Sequence, residues 1–170
     1  GKATGHSQNE SLLNYSFLND KRMDRLDKKL QLKESTLEAI RSIKQKSTLL
    51  VIAEGWCGDA AQVLPVINKI AESSSTLNLA IVLRDENIEL MDQFLTNGNR
   101  AIPKVIILDE NNNYVDSWGP RPSTAAKMVA EYKARVGTVD AAIKKELQLW
   151  YNRDKGENTQ HDLLSLLRAS

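Results

Sequence analysis

Residues Thr48 to Ala53 form an unbroken run of β-branched and aliphatic side chains. A turn, Glu54-Gly55-Trp56-Cys57-Gly58-Asp59, separates that run from an apolar-striped segment, Ala60 to Glu72. A run this short and this apolar predicts a buried strand. The segment behind it places Val63, Leu64, Ile67, Ile70 and Ala71 on one helical face, and Pro65 inside it is expected to kink the helix. A buried strand that feeds a helix through a tight turn is the start of an alternating arrangement, which restricts the chain to the α/β class.

The rest of the chain continues the alternation. Leu77 to Leu83 predicts a second buried strand, Asn87 to Asn97 a helix ended by Gly98, and Pro103 to Leu108 a third strand. Asp109 to Asn113 is rich in Asp and Asn and predicts a hairpin turn, with Tyr114 to Trp118 as the return strand. Gly119-Pro120-Arg121-Pro122 breaks the pattern, and Ser123 is placed to cap a helix to Val136. Before the first strand, residues 1 to 11 read as disordered or loosely attached, and Leu12 to Leu30 as one or two amphipathic helical pieces. Ser35 opens a further helix, with Glu38 in the capping-box position. After Gly137, Thr138 to Tyr151 carries a Val139, Ile143, Leu147, Trp150 stripe. A polar segment, Asn152 to Gln160, then separates a last helix, His161 to Arg168. The expected architecture is a mixed central sheet covered by helices on both faces. The expected divisions are an N-terminal extension (1–34), a central domain (35–136) and a C-terminal helical extension packed on it (137–170).

Bulk properties exclude several classes of function. The chain has 170 residues and a formal net charge of +1, so no global field points to nucleic acid. Apolar runs such as Leu49 to Ala53 and Val105 to Leu108 fall far short of the ~20 residues of a membrane-spanning helix. The polar stretch Gly1 to Glu10 is unlike a signal peptide. The single cysteine allows no internal disulfide, and a cytoplasmic protein is expected. No residues show metal-ligand spacing and no glycine-rich loop cradles phosphate, so no metal and no cofactor are expected. His6 and His161 lie in polar terminal segments, away from Cys57, which argues against a Cys-His hydrolase. Arg100 and the charges from Lys21 to Lys33 read as solvated surface.

Cys57 stands where thiol chemistry is easiest to arrange. Free N–H groups and the positive end of a helix dipole favour a thiolate there, and cysteine pKa values at helix N-termini fall from ~8.5 into the range ~3.5–7.5. Gly58 gives the sulfur a neighbour without a side chain. Trp56 is either a wall beside the sulfur or simple packing. The competing reading of Cys57 is an ordinary buried cysteine acting as a small hydrophobe.

Three landmarks carry a resemblance. They are Ala53-Glu54-Gly55-Trp56-Cys57-Gly58-Asp59-Ala60, then Arg100-Ala101-Ile102-Pro103 ahead of a strand, then Gly119 after the return strand. In this order and spacing the chain resembles the thioredoxin superfamily, and especially its bacterial branch with a Trp-Cys-Gly-Asp turn. The resemblance spans roughly residues 35 to 136. It implies a thioredoxin-like fold, a cis Ile102–Pro103 peptide beside Cys57, and a substrate groove shaped by Ile102, Pro103 and Gly119 with Trp56 and Gly58. It also exposes departures. The second cysteine of the family motif falls at Ala60, so the resolving step of a dithiol cycle is missing. The place of the family's buried acid falls at Val51, which leaves Glu54 and Asp59 as the nearest acids and the candidates for proton transfer. Their charge is expected to push the thiol pKa upward and so partly oppose the helix end. The resemblance thus implies a monothiol redox protein. Cys57 would form mixed disulfides with protein or small-molecule thiols and disulfides, resolved by an external thiol. The alternative is a non-catalytic binding module of the same fold. A third reading makes the terminal helices a dimer or partner surface and Cys57 incidental; the oligomeric state is open.

Overall fold

The computed structural model describes residues 3–169. Eleven elements follow in order. Two helices, α1 (Glu10–Lys29) and α2 (Glu34–Ser42), precede strand β1 (Ser47–Ala53). Then come α3 (Gly58–Glu72), β2 (Leu77–Leu83), the short α4 (Ile88–Asp92), β3 (Lys104–Leu108) and β4 (Tyr114–Trp118). Three helices complete the chain: α5 (Ser123–Val136), α6 (Ala141–Asp154) and α7 (Glu157–Ala169). The sheet order is β2-β1-β3-β4. β1 runs parallel to β2, with Val51 opposite Ile81, and antiparallel to β3, with Val51 opposite Val105. β3 and β4 form the hairpin. The expected mixed α/β sheet with helices on both faces is present. No helix among the described residues is long and apolar enough to cross a membrane.

Strand alternation sends side chains to two unequal cores. Leu49, Val51, Ala53, Val105 and Ile107 face the larger one, which also takes in Ile40, Ile67, Ala125, Ile143, Leu147 and Leu163 from five helices. Ile52 and Ile106 face the smaller one with Met91 and Ile102. The C-terminal helices therefore share the core of the sheet.

Several boundaries differ from the sequence reading, each for a local reason. α1 is one continuous helix, capped by Asn9 Oδ1, which accepts from Leu12 N–H at 2.9 Å. Residues 1 and 2 lie outside the described residues, but 3–9 are not loose. Ala3 is buried, and Gln8 Nε2–H donates to the carbonyls of Ala3 (2.8 Å) and Gly5 (3.0 Å). α2 starts one residue before Ser35, without a side-chain cap. α3 runs without interruption through the buried Pro65. The helix expected from Asn87 to Asn97 stops at Asp92, and Thr96 then bridges Asn99 across Asn97 and Gly98, whose φ are 50° and 76°. β3 begins after Pro103, which has no N–H to pair.

Ser123 is the first residue of α5 rather than its cap. Its N–H is held by Asp162 Oδ2 at 2.7 Å, and that of Thr124 by Asn158 Oδ1 at 2.9 Å, so α7 supplies the capping oxygens. α6 starts at Ala141, behind Asp140, whose carboxylate accepts from the N–H groups of Ala142 and Ile143. The polar spacer expected from Asn152 to Gln160 shrinks to the left-handed pair Lys155 and Gly156, with φ of 53° and 80°.

Candidate functional site

β1 ends at Ala53 and α3 begins at Gly58, so Cys57 occupies the N-cap of α3. Its N–H closes the turn onto Glu54 O at 3.0 Å, and its own carbonyl accepts the first helical bond from Ala61 N–H at 3.1 Å. The thiol Sγ–H lies 3.5 Å from the Ile102 carbonyl oxygen. Ile102–Pro103 is a cis peptide, and both residues are buried. Gly119 stands behind them with φ of +114°, and a Cβ there would come within 2.3 Å of Pro103 O. Only glycine permits so close a backbone approach.

The other side of Cys57 opens into a cleft of about 380 Å³. Trp56, Cys57, Gly58 and Asp59 form one wall, Leu12, Tyr15, Leu18 and Arg22 of α1 another, and Lys144, Leu147 and Gln148 of α6 a third. Arg121 completes the lining beside Asp59. A Cβ on Gly58 would lie 3.7 Å from Gln148 Nε2 and 3.8 Å from Arg22 Nη1, so the turn forms the floor where α1 and α6 converge. Of the residues proposed for a groove from the sequence, Trp56 and Gly58 line this cleft, whereas Ile102, Pro103 and Gly119 do not, and the Ile102 carbonyl meets the sulfur directly.

The two acids nearest Cys57 occupy different surroundings. Glu54 is 2% exposed and does not line the cleft. Its carboxylate accepts from the Thr4 hydroxyl and, at 3.0 Å, from Asp85 N–H. Thr4 Oγ1 in turn accepts from Gly55 N–H at 2.7 Å, and the Asn19 amide donates to Gly55 O at 3.0 Å. The N-terminal residues and α1 thus hold the turn from behind. Asp59 faces the cleft. Its Oδ2 pairs with Arg121 Nη2 at 2.9 Å and its Oδ1 accepts from Tyr151 O–H at 2.9 Å.

These surroundings set the thiol. Burial pushes Cys57 up to about 11, the N–H groups of Ala60 and Asp59 pull it back, the Asp59 charge raises it and Arg121 lowers it. The helix end acts in the expected direction, but desolvation outweighs it, so the expected fall in pKa is reversed. The resting sulfur is a neutral thiol at pH 7. Tyr151 is likewise pushed far up by burial and by the Asp59 charge, and it stays a donor to Asp59.

Trp56 serves both roles considered for it. It lines the cleft, packs against the smaller core, and carries the Arg84 guanidinium 5.1 Å above its ring. Arg100 pairs with Asp92 on the surface, as read. Arg121, Tyr151, Arg22 and Thr4 had no signal in the sequence, because each reaches the turn only through the docking of a distant element. Among the described residues no group of three His, Cys, Asp or Glu is gathered in a way that could hold a metal.

No curated protein matches the chain by sequence. Among solved structures, a protein of unknown function from Pseudomonas aeruginosa superposes with a TM-score of 0.70 at 22% identity, over 92% of this chain and 90% of that one. An HIV epitope-scaffold superposes with a TM-score of 0.68 at 20% identity, over 93% of this chain and 92% of that one. At such identities the likeness is one of fold. The family model described as "Thioredoxin" matches residues 5–133, a span that takes in α1 as well as the sheet and the Cys57 turn, and the chain belongs to the thioredoxin family.

Proposed function

We propose that the protein is a monothiol redox member of its family. Cys57 exchanges with disulfides through the cleft, and an external thiol completes the cycle. One observation carries the reading: the sulfur sits at a helix N-cap between the Ile102 carbonyl and a cleft open to ligand. The thiolate of Cys57 attacks one sulfur of a disulfide RSSR, forms Cys57–S–S–R and releases RS⁻. Ala60 is 1% exposed and carries no second thiol, so the mixed disulfide persists until another thiolate attacks it. That thiolate restores Cys57 and leaves as a disulfide. Asp59, beside the thiol, is the candidate proton acceptor; Glu54 is engaged elsewhere.

A second reading, a binding module without turnover, is favoured by one observation: the resting thiol is raised to about 11. Incubation with a small disulfide followed by intact mass separates the two. The redox reading expects a single adduct, absent in Cys57→Ser and cleared by added thiol. A folded protein that gives no adduct over hours at pH 9 overturns it.

A further inference from the structure

The cleft beside Cys57 carries a charge balance that neither the fold nor the thiol requires. Three cations line it, Arg22, Arg121 and Lys144, against one acid, Asp59. Asp59 is already engaged by Arg121 and Tyr151. Arg22 is half-buried and makes no ion pair among the described residues; its Nη1–H donates to the neutral Asn19 amide oxygen at 2.8 Å. Burial and the neighbouring Arg25 both press on its charge. Lys144 has no ion pair or side-chain hydrogen bond among the described residues either, and Arg121 keeps a buried Nε–H with no acceptor. Two cations without an ion pair and a buried guanidinium N–H without an acceptor, gathered on one cleft, suit an anion, and guanidinium groups suit carboxylate best.

We propose that this cleft binds a small anionic thiol or its disulfide, with carboxylates on Arg22, Lys144 and Arg121 and a sulfur at Cys57. The proposal rests on the redox reading above and names its substrate class. A disulfide RSSR whose R groups carry carboxylates places one sulfur against Cys57. The Cys57 thiolate breaks the S–S bond, takes one R as a mixed disulfide and releases RS⁻. A different anionic thiolate, R′S⁻, bound by the same cations, attacks the R sulfur of that mixed disulfide, so RSSR′ leaves and the Cys57 thiolate returns. The Cys57 proton passes by way of Asp59 to solvent and returns at the end of the cycle. The net exchange is RSSR + R′S⁻ → RSSR′ + RS⁻, balanced in sulfur and electrons, with both thiols drawn from the same anionic class. A protein disulfide, broad and without obligatory negative charge, would make no use of these cations.

The probe is S-methylglutathione, a thioether with two carboxylates that cannot exchange, titrated into Cys57→Ser and followed by tryptophan fluorescence, since Trp56 lines the cleft. Saturable binding is expected. Arg22→Gln and Lys144→Gln, each made in Cys57→Ser, should weaken it about fivefold apiece, and Arg22→Lys should restore most of the loss. Lys144 is exposed on α6, so its variant keeps the test alive should Arg22→Gln fail to fold. Absence of saturable binding overturns the proposal, as does an affinity that neither charge variant changes from that of Cys57→Ser. A parallel measurement compares reaction of wild-type Cys57 with oxidised glutathione and with uncharged hydroxyethyl disulfide. A clear preference for oxidised glutathione, lost in Lys144→Gln, supports the proposal. Equal rates overturn it and leave the redox reading standing. No reaction with either disulfide, with S-methylglutathione still bound, overturns the redox reading and the exchange step, and leaves an anion-binding cleft.

Discussion

The two sides of Cys57 are built by different means. On one side stand the Ile102 carbonyl, Pro103 and Gly119, contributed by the sheet and held as backbone against backbone. On the other stand Arg22, Asp59, Arg121, Lys144, Gln148 and Tyr151, side chains that meet because α1, α6 and the loop before α5 converge on the start of α3. The first side has almost no freedom, since its atoms are fixed by chain direction and by a glycine. The second is a pairing of charges and hydrogen bonds that a few substitutions can rearrange. A fold of this kind can therefore keep its sulfur site constant while the terminal helices decide what reaches it.

Paired glycine substitutions test that contrast with the largest expected effect. Gly119→Ala should cost about 3 kcal/mol, since it combines a positive φ with a clash against Pro103 O. Gly58→Ala, whose new Cβ meets ordinary contacts, should change stability by less than about 0.5 kcal/mol while narrowing the cleft. Urea unfolding of both variants checks this, and equal losses would erase the distinction between the two sides.

Stability against pH comes next. A thiol raised from 9.0 to about 11 on folding holds its proton more tightly in the native state. The folded state therefore loses stability as pH rises from about 9 to about 11, and the effect is absent below pH 9. Relative to Cys57→Ser, the wild type should lose on the order of 2 kcal/mol across that window. Parallel curves for the two proteins would show that burial leaves the thiol unperturbed.

Tyr151→Phe removes the phenol that donates to Asp59 at 2.9 Å, and should cost about 1.5 kcal/mol in thermal or urea unfolding. The smallest effect separates the two charges beside the sulfur. Asp59→Asn should lower the Cys57 pKa and Arg121→Gln should raise it, so alkylation at pH 8.5 changes a few-fold in opposite directions. Shifts of the same sign would mean the two residues act only through packing.

The backbone-built side was legible in the sequence and the side-chain-built side was not. Thr48 to Ala53, the Trp56-Cys57-Gly58 turn, Ile102-Pro103 and Gly119 are local signals, each tied to its own residues. The caps of α5 come from Asn158 and Asp162, and the partners of Asp59 from positions 121 and 151, so no window of sequence contains both halves. The same holds for residues 3–9, whose polar composition reads as loose. Thr4 nevertheless bonds Glu54 and Gly55 once the turn exists to receive it. The Cys57 pKa is shifted opposite to what the helix end alone implies, for a related reason. The helix end is visible in sequence order, whereas the desolvation that outweighs it comes from elements packed around the turn.

The most direct test of the account is the rate of Cys57 alkylation by iodoacetamide in the folded protein as a function of pH. A sulfur that is reachable from the cleft yet held as a neutral thiol by burial predicts complete labelling, with a rate that climbs through pH 9 and a midpoint near 11. A midpoint well below ~8.5 would mean that the helix end, not burial, governs the thiol. No labelling short of unfolding would mean that the cleft does not reach the sulfur.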